Sequence, residues 1–150
     1  MRERKFKPRL IVVAGPNGAG KTSITEQLLR HEWMVGCEYV NPDYIARDEY
    51  GDWNAPEAVR QAATRAHELR ELFLLQNRSL AFETVLSMPD KLDYMMRAKQ
   101  AGFFIRLFFV GTDHPAIMQS ALPCALWKVG MTYPSPKSFR GTHDLWRIVC

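Results

Sequence analysis

Eight consecutive residues, Gly15-Pro16-Asn17-Gly18-Ala19-Gly20-Lys21-Thr22, have the types and spacing of a loop that holds phosphate. Gly15 and Gly20 permit a tight backbone turn, which aims successive N–H groups at one anion. Lys21 supplies a mobile positive charge for terminal phosphates, and the Thr22 hydroxyl can ligate Mg²⁺. Ser23 prolongs the run of main-chain amides. ATP with Mg²⁺ is the ligand pair this chemistry implies. Two acidic positions complete the set. Asp43, in Asn41-Pro42-Asp43, could take a proton from an attacking hydroxyl or help hold Mg²⁺; the ordinary alternative is an Asx turn around the proline. Glu83, followed by Thr84, could bind substrate hydroxyls or polarise metal-bound water; the alternative is helix capping or a surface ion pair. Phosphoryl transfer requires little beyond positioning, charge neutralisation and a base near the acceptor.

These residues work only if strands and helices present them together. The apolar run Leu10–Ala14 reads as a strand entering the glycine loop, and Thr22–Arg30 as the helix leaving it, its positive end toward the phosphates. Residues 38–41 read as a short extended segment ending in the turn signal Asn41-Pro42. A long helix opens at Asn54-Ala55-Pro56-Glu57, with Asn54 as N-cap and Glu57 as the returning acid of a capping box, and ends near Asn77. Its inward stripe is Val59, Ala62, Ala66, Leu69 and Phe73; Arg60, Arg65, Glu68 and Arg70 face out. A strand over Ser79–Glu83, a helix from Ser87-Met88-Pro89-Asp90 to Lys99, and an apolar strand over Phe103–Val110 follow. This alternation predicts an α/β three-layer sandwich of the P-loop NTPase type with a mainly parallel sheet, in which ligands collect at the C-terminal strand ends.

Composition agrees. A chain of 150 residues, 47% hydrophobic and 24% charged, can bury a proper core. The net charge of +4 owes much to Arg2, Arg4, Lys5, Lys7 and Arg9, a cluster that reads as a solvated terminus, so nucleic acid is not the expected partner. The apolar run behind it is too short for a signal peptide, and no segment is long enough to span a membrane. Cys37, Cys124 and Cys150 are far apart and form no disulfide or zinc framework, and His31, His67, His114 and His143 have no ligand spacing. A cytoplasmic setting is expected.

Three strings, Gly15–Thr22, Tyr39-Val40-Asn41-Pro42-Asp43 and Phe82-Glu83-Thr84-Val85-Leu86-Ser87, together resemble the zeta-toxin family in order and spacing over roughly residues 8–117. The resemblance implies a P-loop kinase fold and transfer of the γ-phosphate of ATP to the sugar of UDP-N-acetylglucosamine, with an antitoxin protein as partner. It implies Lys21 on the phosphates, Thr22 on Mg²⁺, Asp43 as base, and Asn41, Asp43, Glu83 and Thr84 around the acceptor. Some members of the family carry threonine where this chain has Val85, which loosens the sugar-nucleotide assignment.

The tail departs from that family. Residues 1–117 read as the kinase core, and 118–150 as an atypical segment that leaves the C-terminal part of the fold incomplete or irregular. Zeta-like proteins continue with an arginine-bearing helix, a Gly-Gly-His-x-Val-Pro segment and an Arg-Tyr-x-Arg-Ser run. Joining the last base of each codon to the first two of the next forces Glu at Trp127-Lys128 and Asp at Met131-Thr132, and the codons between permit Gly-Gly-His. The tail is therefore read as an out-of-frame version of the family's C-terminal segment. Lys128, Lys137, Arg140 and Arg147 are its cations, none aimed at the site by any pattern in the sequence. Two consequences are expected: weak or absent kinase activity through loss of the phosphate-neutralising arginines, and exposed apolar faces on Phe103–Val110.

Two other readings remain at this level. An ABC-transporter ATPase shares the loop but requires a Leu-Ser-Gly-Gly signature and an apolar strand ending in Asp-Glu, both lacking in this sequence. A non-catalytic remnant that binds nucleotide or antitoxin is the second.

Overall fold

A computed structural model describes residues 7–51, 54–85 and 89–110, together with the backbone of Leu145–Val149. The chain runs β1 (Arg9–Ala14), α1 (Lys21–Leu29), a single 3-10 turn (Glu32–Met34), β2 (Glu38–Val40), α2 (Pro42–Tyr50), α3 (Pro56–Leu75), β3 (Leu80–Thr84), α4 (Pro89–Gln100), β4 (Phe104–Val110) and β5 (Leu145–Val149). The strands form one sheet in the order β2-β3-β1-β4-β5. The first four are parallel, and β5 pairs antiparallel with β4. This is the α/β architecture expected from the alternation of strands and helices.

Strand periodicity divides the interior into two layers. Leu10, Val12 and Ala14 of β1 share one face with Leu80 and Phe82 of β3 and Ile105, Leu107 and Phe109 of β4, packed beneath α3 and α4. Ile11, Val13, Ala81, Phe108 and Val110 point the other way, onto Leu28 of α1 and Met34 of the 3-10 turn. The connection leaving β1 thus covers one face and the connection leaving β3 covers the other. The crevice between β1 and β3 is therefore the place where crossovers diverge, the position at which α/β sheets take ligands.

Three expectations are corrected. Helix α3 is capped at Ala55, without a side-chain cap bond, because Pro56 occupies its first turn and holds the preceding residue extended, at φ −68° and ψ 126°. Glu57 turns outward to Arg60 and Gln61 instead of closing a capping box. The inward stripe is also rotated at both ends: Ala58 is buried where Val59 was expected, and Arg70 is buried instead of outward. Arg70 lies over the Phe82 ring, 5.3 Å from its centroid, and burial pushes its pKa down, opposed by Tyr94, Asp90 and Glu71. Lastly, Ile105, Leu107 and Phe109 are buried and β5 runs along the outer edge of β4, so the expected bare apolar face is not found. The expected boundary near residue 117 and most of the tail lie outside the described residues.

The α3–α4 layer is fastened by Tyr94, whose hydroxyl donates to the Arg70 carbonyl at 2.7 Å while its ring meets Phe82 edge-on. Burial first, and then the nearby Glu71 charge, raise the Tyr94 pKa, so the phenol stays a donor. Tyr94→Phe should lower stability by about 1 kcal/mol, the usual net value of one such bond, read as a lower chemical-denaturation midpoint with an unchanged slope.

Candidate active site

Each residue singled out in the sequence near the glycine loop sits at the C-terminal edge of the sheet. The register sets Val13 beside Glu83 and Ala14 beside Thr84, so β1 and β3 end level, while β2 stops two residues earlier with Val40 beside Phe82. What leaves these ends is the glycine loop from β1 and Asn41-Pro42-Asp43 from β2, with Glu83-Thr84 closing β3.

The loop is shaped by its glycines. Gly18 and Gly20 adopt φ 79° and 83°, a left-handed backbone that side chains rarely tolerate. Gly15 meets a different constraint: a Cβ there would lie 2.4 Å from the Val110 carbonyl oxygen. Its N–H donates to the Thr84 carbonyl at 3.1 Å, seaming the start of the loop to the end of β3. Inside the loop the Ala19 N–H bonds the Pro16 carbonyl at 3.2 Å, and Lys21 Nζ reaches back to the same carbonyl at 2.9 Å. Helix α1 begins at Lys21 after a Gly20 cap that offers no side-chain acceptor, and no acid stands in its first turn. The amide donors of that turn, which no helical carbonyl can reach, meet no carboxylate from the turn itself. That arrangement fits the triphosphate end of a nucleotide.

The second strand end explains the ambiguity at Asp43. Asn41 is the N-cap of α2, its Oδ1 accepting from the Asp43 N–H at 2.8 Å, with Pro42 in the first turn. The Asx turn is therefore made by Asn41. Asp43 contributes only its amide to the turn, and its carboxylate accepts no hydrogen bond among the described residues. At the third strand end, Glu83 Oε1 accepts from the Tyr39 hydroxyl at 2.8 Å, and Asn41 Nδ2 donates to that same hydroxyl at 3.0 Å. Burial first, then the bond to Glu83 and its charge, push the Tyr39 pKa up, keeping the phenol protonated. Sequence reasoning passed over Tyr39; only its place one β-strand step from Asn41, on the same face, could have marked it.

Lys21, Thr22, Asn41, Asp43, Glu83 and Thr84 all line one open cleft of about 290 Å³, with Pro42, Tyr44 and Val85. Pro16, Asn17, Gly18, Ala19, Gly20 and Ser23 belong to the adjoining loop and first helical turn. Among the described residues no group of three or more His, Cys, Asp or Glu side chains could hold a metal ion. The Mg²⁺ of a nucleotide-using enzyme requires no such cage, since phosphates and water fill most of its shell. Thr22, expected to supply a hydroxyl to that shell, lines the cleft. Among the described residues no helix is long and apolar enough to cross a membrane.

No family model matches the chain, and no curated protein matches it in sequence. Solved structures do. A chain from the PezAT chromosomal toxin–antitoxin system of Streptococcus pneumoniae is 18% identical with a TM-score of 0.56, over 82% of this chain and 60% of that one. A protein from Chloroflexus aurantiacus described as a kinase is 17% identical, with a TM-score of 0.49 over 67% and 58% of the two chains. A chain of the Pnkp1/Rnl/Hen1 complex is 15% identical, with a TM-score of 0.49 over 97% and 47%. The present chain thus spans 60% of the length of the PezAT chain. That likeness carries the fold alone, an α/β sandwich on a mainly parallel sheet, as the alternation of strands and helices implied.

Gly15→Ala should be the most damaging of the loop glycine substitutions, because its new methyl meets backbone and not open space. A loss of roughly 1–3 kcal/mol is expected, measured by thermal unfolding.

Proposed function

We propose that the chain is an ATP-dependent small-molecule kinase of zeta-toxin type, which transfers the γ-phosphoryl group to a sugar hydroxyl of a nucleotide sugar such as UDP-N-acetylglucosamine. The observation that carries this reading is the single cleft in which the loop's Lys21 and Thr22 face Asn41, Asp43, Glu83 and Thr84. The loop amides and Lys21 hold and neutralise the triphosphate. Mg²⁺, when bound beside Thr22, supplies further neutralisation of the phosphate oxygens. Asp43, whose carboxylate is uncommitted to the turn, accepts the proton of the acceptor hydroxyl. As the hydroxyl oxygen bonds to γ-phosphorus, the bond to the β–γ bridging oxygen breaks and ADP leaves. Glu83 and Thr84 orient the acceptor.

Two variants test the assignment with labelled ATP and UDP-N-acetylglucosamine. Lys21→Ala should reduce transfer on the order of 10²–10³-fold and weaken nucleotide binding, because a preorganised charge on the moving phosphoryl group is lost. Asp43→Asn should reduce transfer by about 10²–10⁴-fold while ATP affinity stays within about twofold, because only proton removal is affected. Transfer that survives both changes would refute the roles assigned to Lys21 and Asp43.

The core and the tail, 1–117 and 118–150, differ in this proposal. The family's C-terminal arginines have no counterpart at matching positions in the tail sequence, so the chain should turn over on the order of 10³-fold more slowly than a version carrying the in-frame segment. Equal rates for the two would refute the loss of activity, and codons incompatible with Gly-Gly-His in the shifted frame would refute the frameshift reading. That same feature favours one alternative, a remnant that binds nucleotide or an antitoxin without catalysis. It predicts ATP binding with no transfer in wild type. The likeness to a chain of a toxin–antitoxin system supports an antitoxin as the protein partner.

A further inference from the structure

Between the candidate base and the candidate acceptor-binding acid runs an unbroken chain of hydrogen bonds. The Asp43 N–H donates to Asn41 Oδ1 at 2.8 Å, Asn41 Nδ2 to the Tyr39 hydroxyl at 3.0 Å, and that hydroxyl to Glu83 Oε1 at 2.8 Å. Every donor points the same way, from the N-terminus of α2 to the carboxylate at the end of β3. Such aligned bonds polarise one another and hold their ends at a fixed separation. Tyr39 is the joint of the chain. Its side chain is partly buried and its ring meets Tyr44 edge-on, with centroids 5.7 Å apart, so the phenol has little freedom to swing. Glu83 receives one donor on Oε1, which leaves Oε2 to accept from a ligand in the cleft that Glu83 lines.

We propose that Tyr39 is a positioning residue: anchored by Asn41, it orients the Glu83 carboxylate toward the acceptor and sets the distance between that carboxylate and Asp43. This rests on the kinase reading for the identity of the acceptor, though not for the linkage itself. A phenol suits the task better than a cation at the same point. It donates one directional bond, adds no charge to the acceptor subsite and remains protonated because its ionisation is pushed up by burial and by Glu83. The groups that face it are Glu83 from β3, with Asn41 and Tyr44 from the start of α2.

The test separates positioning from simple structural support. With UDP-N-acetylglucosamine and labelled ATP, Tyr39→Phe should raise the acceptor KM about tenfold, as expected for loss of one bond to a charged group, with the KM for ATP within about twofold. In a Glu83→Ala background the same substitution should change the acceptor KM less than about twofold, since the carboxylate it orients is gone. Equal rises for both substrates, or an undiminished effect in the Glu83→Ala background, would overturn the proposal. Tyrosinate absorbance, read as the difference between wild type and Tyr39→Phe, supplies a second measurement free of any acceptor. In Glu83→Gln the Tyr39 ionisation should move down toward the ordinary tyrosine value. If wild type transfers no phosphate to this acceptor, the substrate reading fails and the titration decides the linkage. An unmoved Tyr39 ionisation in Glu83→Gln would then overturn it.

Discussion

The site depends on how closely the end of β1 can approach its two neighbours. Gly15 lies against the Val110 carbonyl of β4 on one side and donates its N–H to the Thr84 carbonyl of β3 on the other. Only a residue without a side chain fits between those strands and still turns out of the sheet. Because of this seam, the phosphate loop rises directly beside Glu83-Thr84 and not at a distance from it. The parallel register then carries the alignment across to β2, where Val40 pairs with Phe82 and hands the chain to Asn41. Position in this cleft is inherited from backbone pairing, and the polar side chains add orientation to it.

Much of this was legible because the controlling residues have few alternatives. The glycines of the loop are required by backbone angles that other residues resist, and so they announce the turn. Leu10–Ala14 and the apolar run that ends at Val110 are too uniformly apolar to be anything but central strands. Pro56 marks the first turn of a helix from sequence alone, whereas Pro42 read only as a turn and the helix Pro42–Tyr50 behind it was missed. Less could be read where one residue type serves two settings. An arginine at helical spacing reads as solvent-facing, yet Arg70 folds over an aromatic ring and buries its long stem with it. A tyrosine in a strand reads as filler, and nothing in the order of residues tells that Tyr39 meets Glu83, 44 positions away. The pairing of Leu145–Val149 with β4 was equally hidden, since it joins segments on either side of a proline-rich stretch that breaks the pattern of alternation.

The layer of α3 and α4 contributes in a different way. Arg97 forms a two-pronged pair with Glu71 at 2.7 and 2.8 Å and a further bond to Asp93 at 3.1 Å, linking the two helices at their half-exposed rim. The Arg97 hydrogen bonds hold the Glu71 carboxyl below its ordinary pKa. Its stabilising share is therefore complete above the usual carboxylate range and fades as pH falls through that lowered value. Deeper in, the buried Tyr94 and Arg70 make the same connection. Together they fix the helix that follows β3, and so the direction in which the chain departs from Glu83-Thr84.

Lys21 is tied to its own loop, its ammonium group donating to the Pro16 carbonyl at 2.9 Å. On the kinase reading, a loop tied in this way would spare an incoming triphosphate part of the entropy of ordering it. Capture would then be an exchange of partners, in which a neutral carbonyl yields the cation to an anion that attracts it far more strongly.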